Sequence, residues 1–390
     1  MTPQHLVLTA CTAVSALGVG AAAHRAALLD GRSGLRPNDF DPPVGGWIGR
    51  VEGVEAHRLP PRMANYDCRN NRLADMALEA DGFADAVATA SARYGAHRIA
   101  VILGTSTSGV TAAEDAYRGR IDDGPLPQGF DYDHTQDLYS VAGYVRATLG
   151  LTGPALVVST ACASSARCFI DAEQMIRVGL CDAAVVGGAD SLCRMTLHGF
   201  AALELLSPTP CRPCGENRSG ISIGEAAGFA LLEREGDGIA FLGGGASSDG
   251  YHMSSPHPEG DGAVLAMQQA LRRAALEPSA IDWVNLHGTG TRANDAMEDA
   301  AMLRVFGDGT PCSSTKAWTG HTLGACGILE ALIAQECMAE GLIPGCLGID
   351  TPDPAFRAHI ATGLQHRPIR HVMSNSFGFG GINCSLIFGQ

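Results

Sequence analysis

The chain has 390 residues of which 46% are hydrophobic, enough to bury a large core, and its length suggests two or three domain-sized units. With 41 acidic and 27 basic residues the net charge is −14, which argues against a general nucleic-acid or anionic-membrane surface, and no window approaches the roughly 18 uninterrupted apolar residues of a membrane span. Thirteen cysteines, an odd number scattered through apolar runs, point to a reducing, cytoplasmic setting rather than a disulfide framework.

Residues 6–29 are mostly apolar, yet they lack a basic leading region and are interrupted by Thr9, Thr12 and Ser15. They read as a strand (Leu6 to Thr9), a loop and an alanine-rich helix ending near Gly31, not as a secretory signal. Residues 32–65 are rich in Pro and Gly and form an excursion. Across its end and beyond come Arg58, Arg62, Arg69 and Arg72, opposed only by Asp67 before Asp75. On so acidic a chain this is either a solvated helix start or a local basic spot able to dock an acidic partner. A helix is expected over Ala74 to Tyr94 and a strand over Ile99 to Leu103. The small-residue loop Gly104 to Gly109 follows, able to line a pocket or merely to turn the chain, and residues 115–140 read as an exposed loop or a partner surface.

The stretch Val157-Val-Ser-Thr-Ala-Cys162-Ala-Ser-Ser turns a buried strand (Ala155 to Ser159) sharply into a helix that Gly179 stops. Cys162 stands where that helix begins, and unpaired N–H groups and the helix dipole there favour a thiolate, making it a candidate nucleophile. The competing reading is a small core residue. After a strand at Ala183 to Val186 comes an irregular loop holding Cys211-Arg-Pro-Cys214, which has no second ligand pair at zinc spacing and is not read as a metal site. Gly220 to Leu232 returns to a strand, and Gly243 to Gly245 is read as a break.

The second half repeats the plan of the first. Strand Val284 to Leu286 ends at His287, and loop Ser313 to Thr322 leads into a helix, Leu323 to Glu340, stopped by Gly341. That parallel implies a duplicated αβ unit. Such assemblies place their site beyond the carboxyl ends of the strands, where Cys162, His287, Lys316 and His321 all fall. Lys316 is the only lysine among the 27 basic residues. Chance is the weaker reading of a lone lysine in this loop beside a histidine; the other is that a compact ammonium does something there that a planar guanidinium would not.

Thr160-Ala-Cys162-Ala-Ser-Ser, Asn285-Leu-His287-Gly-Thr-Gly-Thr, Lys316 with Gly320-His321-Thr-Leu-Gly-Ala-Cys-Gly, and Ser374-Asn-Ser-Phe-Gly-Phe379-Gly-Gly together resemble the β-ketoacyl-acyl-carrier-protein synthases, in their elongating Cys-His-His branch. A finer similarity, to the synthases of bacterial aryl polyene pathways, rests on Asp67-Cys-Arg-Asn-Asn-Arg-Leu73, the Gly104 to Gly109 loop and Ser247 to Glu259. The chain departs from the commoner pattern at Thr9 to Thr12 and at Cys214, neither a catalytic position.

The resemblance implies an α/β, thiolase-like fold of two duplicated halves, residues 1–240 with the nucleophile and 241–390 with the histidines and lysine, in a layered α-β-α-β-α core. It implies that Cys162 carries the acyl group and that the N–H groups of Cys162 and Phe379 form an oxyanion hole. His287 and His321 would donate to the enolate left when a malonyl thioester loses CO2. Lys316 would orient or polarise His287, Glu330 would anchor its loop, and Asp295 would help hold the network. Gly378 and Gly380 beside Phe379 suggest a gate. Thr107 would lie near the end of the acyl tunnel, and Arg62 and Arg69 would dock an acidic acyl carrier protein loaded with acyl or malonyl groups. A dimer is expected, with itself or with a chain-length partner subunit, and no metal or organic cofactor is needed. The alternatives are a non-catalytic chain-length subunit, against which the intact Cys-His-Lys-His set argues, and a thiolase or chain-initiating synthase, which His321 disfavours.

Overall fold

The computed structural model describes residues 5–41, 43–122 and 124–390. Ten strands carry the architecture. In the first half, β1 (Leu6–Ser15), β2 (Ile99–Gly104), β3 (Ala155–Val158), β4 (Ala183–Asp190) and β5 (Ala226–Glu233) lie in the order β3-β2-β4-β5-β1. β2 is parallel to β3 and β4, while β5 is antiparallel to β4 and β1. In the second half, β6 (Ile239–Ser248), β7 (Trp283–Asn285), β8 (Cys312–Ser313), β9 (His371–Gly378) and β10 (Ile382–Gly389) take the order β8-β7-β9-β10-β6 with the same pattern of orientations. The two half-sheets meet where β1 pairs antiparallel with β6, Leu6 opposite Phe241. The duplication read from the loops is thus repeated strand by strand.

Continuous apolar runs such as Ile99–Gly104 and Ala183–Asp190 are buried along their whole length, as strands covered on both faces must be. The covering helices sort into three layers. Arg69–Leu78, Phe83–Tyr94 and Ser140–Thr148 pack outside the first half-sheet, and Asp261–Ala274 and Arg292–Phe306 outside the second. Between the half-sheets lie Ser164–Arg177 and Cys326–Glu340, the latter apolar on nearly every side because protein surrounds it. This is the α-β-α-β-α layering of the thiolase-like fold. Among the described residues no helix is long and apolar enough to cross a membrane.

Four local expectations change. The helix expected over 74–94 is two, because Asp81 and Gly82 take successive left-handed conformations (φ 53° and 68°) that no helix can continue through. Gly243 to Gly245 do not break the chain but run inside β6. Helix Asp261–Ala274 presses on Gly243 and Gly245, where a Cβ at Gly245 would stand 2.0 Å from the Ala266 carbonyl oxygen, and Ile170 of helix Ser164–Arg177 presses on Gly244 from the other face. The first strand extends six residues beyond Thr9, to Ser15. Part of the stretch read as loop is helical, at Val110–Arg118 and around Tyr132–Gln136.

Candidate active site

Parallel strands deliver the functional groups at their carboxyl ends. β3 leads through Thr160 and Ala161 to Cys162, just ahead of helix Ser164–Arg177. Ala161 holds a left-handed φ of 50°, a strained turn that presents the next residue's side chain at the helix start. From the other half, Gly378 comes so close that a Cβ there would lie 3.1 Å from the Cys162 backbone nitrogen. A side chain there would crowd the turn, and the close approach brings the Phe379 N–H to the sulfur. Both that N–H and the N–H of Cys162 act on the thiol and stabilise negative charge on it. These are the two donors expected of an oxyanion hole.

His287 follows β7. Its own N–H donates to Glu298 Oε1 and that of Gly288 to Glu298 Oε2, both at 2.8 Å, so a buried carboxylate grips the turn that carries the imidazole. Asp295 holds the next turn, accepting from the N–H groups of Gly290 at 3.2 Å and Cys214 at 2.8 Å. His321 is set by strand-like pairing: its N–H donates to Ser222 O at 2.7 Å and its carbonyl accepts from Gly224 N–H at 2.9 Å. His321 Nε2 then lies 3.0 Å from Cys162 Sγ. The two imidazoles stand nearly perpendicular with centroids 5.2 Å apart, and one ligand atom from each of Cys162, His287 and His321 falls within 4.8 Å of the others. Neither histidine's Nδ1 has a hydrogen-bond partner among the described residues, so the protein does not lock either tautomer through that atom.

Lys316 Nζ is 2.6 Å from Glu330 Oε1, with both side chains buried. Burial opposes the Lys316 charge most strongly, but Glu330, Cys326 and Glu298 together outweigh it and the ammonium's pKa rises. The lysine bonds Glu330 and not His287, so it acts on the imidazoles by charge rather than by contact. Burial first, and Lys316 second, hold both histidines well below their usual value, so both are neutral near pH 7. The thiolate expected at Cys162 does not form by itself. Burial pushes the thiol up to about 11, against the pull of Lys316 and the two N–H groups, with Asp190 adding to the rise. Position at a helix start matters less here than removal from water, and the resting pair is a thiol beside a neutral imidazole.

Cys162, His287 and His321 line a cavity of about 500 Å³ together with Phe200, Phe379 and Thr291. Phe379 packs on Phe200, with centroids 5.6 Å apart. Its glycine-rich loop is tied to Asp249, whose N–H donates to Gly381 O and whose carboxylate accepts from Asn383. Thr107 is buried at the end of β2 with its hydroxyl given to Asp190, and it does not line this cavity. Arg69 takes a different task from the docking expected of it. Its guanidinium grips Glu225 through Nε and Nη2 and reaches Glu55, leaving its side chain 10% exposed. Arg72 is paired with Asp67, whereas Arg62 is exposed and makes no ion pair among the described residues.

Residues 55–238 match the model of the β-ketoacyl synthase N-terminal domain and 240–350 that of its C-terminal domain. Nodulation protein E of Rhizobium leguminosarum bv. trifolii is 32% identical over 99% of both chains. The chain belongs to the β-ketoacyl synthase family. This β-ketoacyl synthase is an acyltransferase of the condensing type, working on carrier-bound acyl groups of fatty acid or polyketide synthesis. The 3-oxoacyl-[acyl-carrier-protein] synthase 2 of Vibrio cholerae is 34% identical over 75% of this chain and 76% of its own. A ketosynthase (ApeO) solved in complex with its chain length factor (ApeC), from Xenorhabdus doucetiae, is 40% identical, covering 100% of this chain and 99% of that one with a TM-score of 0.90.

Three groups in this synthase carry weight that the sequence did not announce. Glu298, Asp190 and Glu225 are buried carboxylates that hold loops by accepting N–H groups. Glu298 follows Asp295 by three residues on one helix, a spacing that places both on the face toward the His287 turn. Asp190 and Glu225 each follow glycines at a strand end, where a carboxylate can reach neighbouring backbone.

Proposed function

We propose that this synthase elongates an acyl chain by decarboxylative Claisen condensation, with Cys162 as the acyl carrier. The observation that supports it best is the 3.0 Å contact of Cys162 Sγ with His321 Nε2 in a cavity that also holds His287 and the Phe379 N–H. In the first half-reaction the thiol proton passes to His321 Nε2 as sulfur attacks the incoming thioester, and from there to the departing carrier thiolate. The two N–H groups stabilise the tetrahedral oxyanion, and removing one such donor typically costs about a hundredfold or more. In the second, malonyl thioester loses CO2. The enolate oxygen accepts from the N–H groups of His287 and His321, the latter having shifted its one proton from Nδ1 to Nε2, which no Nδ1 partner among the described residues prevents; burial and Lys316 keep both donors neutral. The enolate carbon attacks the Cys162 thioester, and the released sulfur takes up one proton.

The carrier protein is met at least by Arg62, which like Arg58 is exposed and makes no ion pair among the described residues, and the Phe379 loop opens to admit the acyl chain. A second subunit pairs with β3, an edge strand of apolar residues whose Leu156 is 46% exposed. The ketosynthase from Xenorhabdus doucetiae, solved with its chain length factor, favours a chain-length partner over a second copy in that place. Extension of an aryl polyene chain rests on the three sequence segments noted above. Incubation with carrier proteins bearing saturated, enoyl and aryl acyl groups, reading mass added to Cys162 and product after malonyl carrier protein, tests this reading. Transfer of enoyl and aryl groups is expected to exceed that of saturated ones, and the reverse order would remove the polyene assignment.

A further inference from the structure

Asp190, the last residue of β4, is fully buried, and its partners are all neutral donors. Oδ1 accepts from Thr105 Oγ1, Ser106 N–H, Thr107 N–H and Thr107 Oγ1, each at 2.8 Å. Oδ2 accepts from Ser106 N–H at 3.0 Å and from Gly324 N–H at 2.6 Å. Burial raises the Asp190 pKa and these bonds pull it back; with five donors directed at the carboxylate, the ionised form is the one that fits the geometry. The groups it gathers come from both halves of the molecule. Thr105 to Thr107 end β2, and Ser106 Oγ also donates to the carbonyl of Ala161, the strained residue before Cys162. Gly324 follows Leu323, which holds a left-handed φ of 53°, on the loop that carries His321. A Cβ at Gly324 would stand 2.7 Å from Asp190 Oδ2 and 2.8 Å from Ser106 Oγ, so the contact has been built for glycine.

We propose that Asp190 is a positioning residue: its carboxylate clamps the Thr105–Thr107 turn to Gly324 and thereby holds His321 against Cys162 across the two halves. The proposal rests on the condensing function above. The charged and titratable groups acting around Cys162 are His287, His321, Lys316, Cys326 and Asp190. Of these, Asp190 disfavours the thiolate while Lys316 favours it. Loss of the carboxylate therefore has two separable effects. The thiol ionises more readily, because a negative charge that opposes the thiolate is withdrawn, and condensation slows, because the imidazole that accepts the thiol proton is no longer held in place.

The test is Asp190→Asn in the full chain, with its partner subunit if condensation requires one. Iodoacetamide alkylation of Cys162 is followed across pH by peptide mass, and condensation is followed by steady-state kinetics. The alkylation midpoint is expected to fall, giving about tenfold faster labelling at pH 8, while kcat drops at least tenfold with KM for carrier protein within twofold. An unchanged or raised midpoint, or a retained kcat, overturns the proposal. If Asp190→Asn does not fold, Thr105→Val decides. It is expected to lower kcat about threefold with the midpoint unmoved, and Thr105→Ser to restore it; wild-type kcat in Thr105→Val overturns the clamp. If the wild-type protein condenses no carrier-bound substrate, the functional reading fails, and the alkylation profiles still decide Asp190.

Discussion

Two ion pairs in this synthase, Lys316 with Glu330 and Arg69 with Glu225, each rest on a buried carboxylate and differ in use. Arg69 spends its planar fork on geometry. It grips both oxygens of Glu225, which in turn accepts the N–H groups of Val51 and Leu192 at 3.0 Å, so that three segments are stapled around one carboxylate. Lys316 makes a single bond, at 2.6 Å, and Glu330 Oε2 has no partner among the described residues. What Lys316 supplies is a point charge, felt by His287, His321 and Cys162. A chain that uses arginine for 26 of its 27 basic residues keeps lysine where charge matters and bonding geometry does not.

Removing each cation tests that contrast most severely. Lys316→Met is expected to cost about 3–5 kcal/mol of folding stability by leaving Glu330 buried and unpaired. It should also lower kcat at least about a hundredfold, since the histidines and the thiol lose their reference charge. Arg69→Met should cost a similar about 3–5 kcal/mol in urea unfolding, yet leave kcat per folded molecule within about twofold. If the two variants lose activity equally, the distinction between charge and staple fails.

A smaller effect sharpens the comparison at a third buried carboxylate. Burial pushes Glu298 up to about 7, with the Gly288 and His287 N–H groups pulling it back. Its folded value lies above the 4.5 of an ordinary glutamate, so the folded state binds the extra proton between those values. Stability should fall as pH rises from about 4.5 to about 7, and Glu298→Gln should flatten that slope in pH-dependent unfolding. Activity runs the other way. It should decline as pH drops through about 7, because protonated Glu298 loses an acceptor for the His287 turn, and the decline should vanish in Glu298→Gln. The smallest effect is at the surface: Arg62→Glu should raise the apparent KM for carrier protein about threefold to tenfold with kcat unchanged, more at low salt than at high.

These residues also mark what could be read from the chain. Cys162, His287, Lys316 and His321 were legible because each sits among small residues at a strand or loop end, a context that sequence spacing displays. Asp190 and Glu298 were not, because a lone acid in a strand or helix looks like a solvated one until the fold buries it. The thiol's high pKa was hidden for the same reason: helix position is local, whereas burial depends on Gly378 arriving from more than two hundred residues away. Arg69 was misjudged because its partner Glu225 lies 156 positions on. The helix break at Asp81 and Gly82 was missed since an apolar period continues across it, and the glycines of β6 read as a break because the pressing helix is not local.

The account stands or falls on whether Cys162 accepts an acyl group and gives it up to carbon. A single-turnover experiment with acyl-loaded carrier protein, followed by malonyl-loaded carrier protein, measures this by intact and peptide mass. The predicted result is one acyl group on Cys162, discharged as CO2 and a β-ketoacyl carrier appear in equal amounts. An acyl group on another of the thirteen cysteines, or one on Cys162 that malonyl carrier protein leaves in place, would contradict it.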